Sequence, residues 1–174
     1  AKNLPNEWNE TKNIAWKTEI LGRGWSSPSL VQNHLYLTTA VPAEAGSANG
    51  PLSLRTLCVD AAAGQIVWNV EVFQEPADAP KIHNKNSHAS PTPIVEKRRI
   101  YVHFGHQGTA CLDLAGKILW KNDSIKYAPV HGNGGSPVLE GDLLIFSCDG
   151  GSDPFVVALD AKTGDERWRF QRES

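Results

Sequence analysis

The residue types and segments that this sequence lacks exclude several classes of protein. The 174 residues include no methionine and only three cysteines, which argues against a disulfide framework. No apolar run approaches the roughly 20 residues of a membrane-spanning helix. The 17 lysines and arginines are outnumbered by 19 aspartates and glutamates, so no basic excess indicates a nucleic-acid partner. The composition therefore favours a globular domain without a membrane span and without a nucleic-acid ligand.

Tryptophan, by contrast, is frequent and regularly spaced. Of the six tryptophans, four recur at intervals of about 50 residues, a period typical of solenoids, arrays and propellers. They are Trp16, Trp68, Trp120 and Trp168. The last three each close the same phrase, in which an apolar run, Asp, small or polar residues, Gly and a second run follow one another. The phrase occupies residues 58–68, 111–120 and 158–168.

Each phrase predicts a β-hairpin. The Asp carboxylate can accept backbone N–H groups of the turn, and Gly can adopt a positive φ. A second phrase begins with Ser/Thr-Pro and has a polar pair between two apolar runs. It aligns without a gap over residues 27–37, 92–102 and 136–146. The two hairpins make four strands per unit, the pattern of a β-propeller blade, with a β-sandwich or a β-solenoid as the alternatives.

We therefore expect an all-β fold, a propeller of four-stranded antiparallel blades in an incomplete ring. Residues 13–20 are predicted to be the last strand of a preceding blade. The full blades are predicted at 25–72, with an insertion at 40–53, at 88–122 and at 132–171. Rings close with roughly four to eight blades, so we expect the remaining blades in a longer parent chain. The isolated segment is then expected to associate or to be marginally stable.

The three cysteines are expected to be free thiols. Cys58 and Cys111 occupy the same position of the repeat, where the third unit has Ala158. Equivalent positions in neighbouring blades should lie beyond the roughly 7 Å limit for a disulfide. Buried free thiols are therefore the favoured interpretation.

The phrases at 136–138 and 159–168 resemble the repeat of the pyrroloquinoline-quinone-like propellers, over almost the whole chain from Trp16 to Trp168. This family includes quinoprotein alcohol dehydrogenases and non-enzymatic envelope proteins. The segment contains no signal peptide that would indicate a location directly. The resemblance implies a periplasmic or cell-envelope location. It lies on structural positions, so it implies a fold and leaves the activity open.

Candidate site residues precede each innermost strand, where the segments of a propeller converge on one mouth of the channel. They are Arg23, Trp25, Asn86, His88, His131 and Asn133. Such residues can bind a carboxylate or phosphate, hold a transition metal through imidazole, or place a histidine as a base. Ordinary loop-capping hydrogen bonds are the alternative. The loop at 74–91 and the insertion are further places where binding is expected.

A second, weaker candidate is the run 149–153. Asp149 and Asp153 flank a flexible glycine pair and offer oxygen ligands for calcium. The twelve-position calcium-loop pattern is absent, so a turn between strands is the favoured interpretation.

Two functions follow from these observations. In the first, the chain belongs to a non-catalytic scaffold that binds a protein, a peptide or a polysaccharide. In the second, it is part of a quinoprotein oxidoreductase that holds pyrroloquinoline quinone with calcium. The resemblance implies a vicinal cysteine pair and a tryptophan floor for the second function. This segment has no Cys-Cys pair, and Trp25 is the only tryptophan placed near the channel, so we favour the scaffold without a cofactor in this segment.

Overall fold

The computed structural model describes residues 4–43, 50–79 and 82–173. Over these residues, twelve strands form three four-stranded antiparallel sheets, which confirms the partial propeller of about three blades. The first blade contains β1 (Ser29–Val31), β2 (His34–Pro42), β3 (Leu52–Asp60) and β4 (Ile66–Glu75). The second contains β5 (Ile94–Glu96), β6 (Arg99–His103), β7 (Thr109–Asp113) and β8 (Ile118–Asn122). The third contains β9 (Val138–Glu140), β10 (Leu143–Cys148), β11 (Phe155–Asp160) and β12 (Glu166–Gln171).

Two boundaries differ from the sequence prediction. The flanks of the expected insertion at 40–53 are strand, because Ala40 pairs with Leu54 and Pro42 with Leu52 as β2 and β3 lengthen; residues 44–49 lie outside the described residues. The segment 13–20 contains no assigned strand. Its only possible neighbour in a blade would be a third strand of a preceding sheet, and no such strand is among the described residues. Within the described part of the chain, no helix is long and apolar enough to span a membrane.

The core lies between the blades. One buried cluster joins the first and second sheets, and another joins the second and third. Side chains alternate across a strand, so β6 sends Ile100 and Val102 toward the first blade and Tyr101 toward the third. The middle sheet is thereby covered on both faces. All three cysteines are buried free thiols within these sheets.

The repeated tryptophan joins each blade to the next. Its indole N–H donates to the backbone carbonyl of the residue that follows the turn aspartate in the next unit. The bonds run from Trp16 to Ala61 (2.9 Å), from Trp68 to Leu114 (3.0 Å) and from Trp120 to Ala161 (3.1 Å). Segment 13–20 thus makes the contact that the fourth strand of a blade makes elsewhere, although it lacks a strand partner.

Glycine in the receiving turn makes this contact possible. Gly64, Gly116 and Gly164 have φ values of +70°, +86° and +82°, a region that L side chains rarely adopt. A Cβ on Gly164 would lie 2.5 Å from the Trp120 ring, closer than any real contact. The glycine is therefore required both for the backbone conformation of the turn and for the close contact with the indole ring.

Aspartate shapes the same turn. One oxygen of Asp60 accepts the N–H groups of Ala62 and Ala63, each at 2.8 Å. The N–H of Ala63 is the main cause that lowers the pKa of the Asp60 carboxyl. Asp160 has the same arrangement, with the N–H of Lys162 as the main cause of its lowered pKa. The turn is thus stabilised by an ionised carboxylate.

Ser/Thr-Pro phrases connect the innermost strands. The backbone N–H of Ser27 donates to the hydroxyl of Thr92 at 3.1 Å, and the N–H of Thr92 donates to the hydroxyl of Ser136 at 2.9 Å. Each hydroxyl therefore accepts from the equivalent residue of the preceding unit. This second repeated contact sets the inner strands side by side around the channel.

The outer face of the third blade carries apolar side chains without a cover among the described residues. Trp168 is 40% exposed and Phe170 is 68% exposed, whereas Trp120, the equivalent of Trp168, is 9% exposed. Trp168 and Phe170 lie opposite Ala158 and Val156. The difference arises because the described chain supplies no fourth blade for this face.

Trp120→Ala is expected to destabilise the chain by about 3–5 kcal/mol, because a buried indole and its hydrogen bond are lost. Trp168→Ala is the matched control and should cost about 1 kcal/mol or less, since exposed positions contribute little. Urea unfolding followed by far-UV circular dichroism measures both changes. Equal losses would contradict the role of the tryptophan as an inter-blade contact.

The isolated chain is expected to self-associate through the outer face of the third blade, because large exposed apolar patches drive association. Phe170→Lys should shift sedimentation velocity profiles toward monomer over a concentration series. Val67→Lys, at a position 53% exposed on β4, is the control and should leave association unchanged. A chain that stays monomeric at every concentration would refute this expectation.

Stability is expected to fall in acid. The native pKa of Asp60 and Asp160 is lowered, so their contribution is complete above the unfolded value of about 3.9 and is lost as pH falls through the native value. Asp160→Asn should be less stable than the unsubstituted chain at pH 7, and the gap should narrow below about pH 4. Urea unfolding from pH 7 to pH 3 measures the gap, with exposed Asp123→Asn as the control.

A gap of constant size at every pH would show that the turn does not depend on the Asp160 charge.

Candidate functional site

A cavity of about 420 Å³ opens where the first blade meets the loop that leads to the second. It lies at the end of β2 and the start of β3, on the side of the blade away from the β3–β4 turn. Its walls come from the segment before β1, from the facing ends of β2 and β3, and from the loop before β5. The lining residues are Gly22, Arg23, Ala40, Pro42, Leu52, Ile82, His83, Asn84, Asn86, Ser87 and His88.

Arg23 is held at the cavity by its backbone. Its N–H and carbonyl pair with the carbonyl and N–H of Ala40, at 2.9 Å and 3.0 Å. The guanidinium donates to the carbonyl of Asn84 at 3.4 Å and lies 5.9 Å from the ring centre of Trp25. Trp25 is exposed and does not line the cavity, so of these two predicted residues Arg23 is the one that faces it.

His88 is backed by a buried carboxylate. Glu75, the last residue of β4, is 2% exposed, and its Oε2 lies 2.5 Å from Nδ1 of His88. The two atoms are in contact, although the angle falls outside hydrogen-bond geometry, and both carboxylate oxygens lack a well-formed hydrogen bond. A buried carboxylate is costly unless it is paired, so Glu75 strongly constrains the position of His88.

A second imidazole lies on the other side of Glu75. Nε2 of His106 is 3.9 Å from Oε1 of Glu75 and 2.9 Å from Nε2 of Gln107. Burial is the main cause that lowers the pKa of His106, which favours its neutral form. His88 is therefore the nearer histidine to this carboxylate and the one that also reaches the cavity.

Asn86 connects the loops of the second and third units. Its side-chain amide donates to the carbonyl of His131 at 3.0 Å and to that of Asn133 at 3.5 Å. The His131 ring stands nearly perpendicular to that of His83, with ring centres 5.5 Å apart. The predicted residues of these two units thus meet in space, but the bonds from Asn86 reach backbone atoms.

Asn133 belongs to a different network, which extends into the core. Its side-chain oxygen accepts a hydrogen bond from the Tyr127 hydroxyl, whose oxygen lies 3.5 Å from Nε2 of His103. Nδ1 of His103 bonds to the Thr109 hydroxyl at 2.8 Å. Burial lowers the pKa of His103 to about 3, so this histidine is neutral and serves the core.

The calcium candidate lacks a complete ligand set. Asp149 bonds to the guanidinium of Arg172, and Asp153 accepts from the Ser152 hydroxyl at 3.1 Å. No three His, Cys, Asp or Glu side chains gather into a metal-binding group anywhere in the described ranges. Asp149 and Asp153 therefore bring two carboxylates to this loop without a third such ligand among the described residues.

Sequence reasoning missed Glu75 and His106. Glu75 ends a strand and His106 lies in the short 3₁₀ turn Gly105–Gln107, and neither belongs to a recognisable motif. They come together because β4 and this turn are packed against each other across the blade boundary. The linker at 74–91 was expected to carry binding residues, and Glu75 lies at its start.

Comparison with protein families gives one match. A family model described as outer membrane protein assembly factor BamB matches residues 52–174. No curated protein matches the sequence significantly.

Solved structures share the fold. A europium-containing methanol dehydrogenase aligns with a TM-score of 0.61 and 20% identity over 97% of this chain. A quinohemoprotein alcohol dehydrogenase from Comamonas testosteroni aligns with a TM-score of 0.58 and 18% identity over 87% of this chain. The chain spans only 30% and 21% of those two proteins. At such identities the likeness concerns the fold alone.

Proposed function

We propose that this chain, which belongs to the propeller family whose model is described as outer membrane protein assembly factor BamB, is part of a non-catalytic binding scaffold of the cell envelope. The description of the family model names an assembly role at the outer membrane. The blades act as a rigid support, and the loops before the innermost strands bind the partner.

The observation that carries this proposal is the convergence of loops from different units. Arg23 comes from the first unit, Asn86 and His88 from the loop of the second, and His131 from the third. Hydrogen bonds connect these segments, from Arg23 to Asn84 and from Asn86 to His131. Loops on a rigid scaffold are the usual carriers of binding residues.

A protein, a peptide or a polysaccharide is the expected partner. Exposed Trp25 offers an aromatic surface suited to contacts of this kind. Arg23, Asn86 and the histidines offer donors for carboxylates, carbonyls and hydroxyls. With a net charge of −2, nucleic acid is disfavoured as a partner.

The alternative is that the chain is part of a quinoprotein oxidoreductase. The fold likeness to the two dehydrogenases is compatible with both functions, because it lies below the identity at which activity is shared. The described residues favour the scaffold, since Asp149 is engaged by Arg172 and no third acidic, histidine or cysteine ligand joins Asp149 and Asp153 in a group.

The first experiment is a titration of the full-length protein with pyrroloquinoline quinone and calcium, followed by tryptophan fluorescence and thermal melting. A ligand present at 100 times its Kd would stabilise the folded state by about 2.7 kcal/mol. The scaffold proposal expects no saturable shift. A saturable shift in both signals would replace it by the oxidoreductase.

The second experiment tests directly whether the loops at the channel mouth bind a partner. Immobilised protein is incubated with envelope extract, and the double variant Arg23→Gln, His131→Ala is expected to lose bound partners that the unsubstituted protein retains. Lys117→Gln, in the β7–β8 turn of the second blade, removes one charge far from the mouth and should retain them. Equal retention by the double variant and Lys117→Gln would contradict a role for the mouth loops.

A further inference from the structure

The cavity between the first blade and the loop of the second combines two kinds of wall. Its lining includes the polar side chains of Arg23, His83, His88 and Asn86 and the apolar side chains of Ala40, Leu52 and Ile82. No acidic side chain is among its lining residues. Its volume of about 420 Å³ lies within the roughly 300–1,000 Å³ of small-molecule pockets. Such walls suit a ligand with one anionic end and one apolar end.

Arg23 can receive the anionic end. A guanidinium has five N–H donors, and Arg23 directs one of its nitrogens to Asn84 at 3.4 Å, longer than an ordinary hydrogen bond. No carboxylate of the described residues lies within ion-pair distance of Arg23, although several other arginines have such a partner. Arginine pairs with carboxylates through two parallel hydrogen bonds, so its remaining donors are suited to that geometry.

His88 supplies the second contact. Oε2 of Glu75 lies 2.5 Å from Nδ1 of His88. A carboxylate accepts hydrogen bonds, so the tautomer with a proton on Nδ1 is the one that suits this contact. Nε2 is then the ring atom that remains for a ligand. When a ligand carboxylate accepts a hydrogen bond from Nε2, both ring nitrogens act as donors.

The buried carboxylate explains why this arrangement is specific. Glu75 is 2% exposed and lacks a well-formed hydrogen bond to either oxygen, and such groups in native proteins call for an explanation. Orientation of a ligand-contacting histidine is one, as in the carboxylates that orient metal-bound imidazoles. Glu75 does not line the cavity, so it acts through His88 as a positioning residue.

We propose that this cavity binds an apolar carboxylate, with Arg23 and His88 as the contacts to the carboxylate and with Leu52 and Ile82 against the apolar body. This inference rests on the proposed scaffold function and names its ligand chemistry. The carboxylate can belong to a small organic acid or to the carboxyl terminus of a peptide. Both sources present the same group to Arg23 and His88.

The test is a titration of the isotope-labelled full-length protein with N-acetyl-leucine, followed by amide chemical shifts in NMR. Residues 82–88 should shift in a saturable manner. N-acetyl-leucinamide, which lacks the charge, should bind at least about 10-fold more weakly, the equivalent of about 1.4 kcal/mol. Equal binding of acid and amide, or no saturable shift with the acid, overturns the proposal.

Variants localise the effect. Arg23→Gln should weaken binding of N-acetyl-leucine by at least about 10-fold, and both Arg23 and its neighbours are exposed, so folding should persist. Lys85→Gln removes the same charge from the neighbouring loop before β5 without changing a residue of the cavity lining and should bind as the unsubstituted chain does. If the two variants weaken binding equally, the effect is general electrostatics and the proposal fails.

Glu75→Gln tests the positioning role with a readout that simple destabilisation would not produce. The ¹⁵N shifts of the His88 ring report which nitrogen carries a proton. The proposal expects Nδ1 to be protonated in the free protein and expects this preference to be lost in Glu75→Gln. If Glu75→Gln does not fold, the ring shifts of the unsubstituted protein still decide: a free protein without a proton on Nδ1 contradicts the role of Glu75.

A pentapeptide ending in leucine distinguishes the two sources. Affinity at least about 10-fold above that of N-acetyl-leucine supports a peptide terminus, and equal affinity supports a small acid. If the cavity binds neither N-acetyl-leucine nor the pentapeptide, the ligand proposal fails. The scaffold proposal still stands in that case if the double variant Arg23→Gln, His131→Ala loses partners from envelope extract. Loss of partner binding in that double variant while the cavity stays inactive therefore separates the two proposals.

Discussion

The contact between the tryptophan of one blade and the turn glycine of the next is the interaction on which the structure depends. It buries a large aromatic surface, satisfies the indole N–H with a backbone carbonyl, and requires a residue without a Cβ at the point of contact. Because the same three conditions recur at each interface, the separation and angle between neighbouring blades are set in the same way each time. The aspartate that shapes the turn also places the accepting carbonyl, so the turn and the interface form one unit.

For function, the consequence is that loops from different blades are placed next to one another. Blades held in a constant relation place the segments before their innermost strands next to one another, and the Ser/Thr hydroxyls repeat that relation close to the channel. Arg23 and His88, which are 65 positions apart, can therefore line the same cavity. A rigid frame also makes it possible to bury the Glu75 carboxylate beside two imidazoles, because the cost of that burial is offset by packing elsewhere in the blades.

The sequence repeats predicted most of the fold because the residues of each repeated phrase lie close together in the chain. Asp60, Gly64 and Trp68 lie within one hairpin, so their spacing alone indicates two strands and a tight turn. The strand boundaries were harder to predict from the sequence where they depend on pairing with another strand. Residues 40–42 and 52–53 look like a loop by composition and are strand because each side finds a partner across the hairpin. Segment 13–20 looks like a strand and has no partner among the described residues, although Trp16 still binds Ala61.

For the candidate site, sequence identified which segments converge but not which side chains face each other. Arg23, Asn86 and His88 share a cavity, as their positions before the inner strands imply, while Trp25 lies outside it and Asn133 turns toward Tyr127. Glu75 and His106 carried no local signal at all. The sequence by itself determined the repeat, the hairpins and the glycine seats, because these depend on residues a few positions apart. Only the tertiary structure decided the partners of the buried carboxylate and the lining of the cavity, because those contacts join residues that are distant in the chain and depend on side-chain direction.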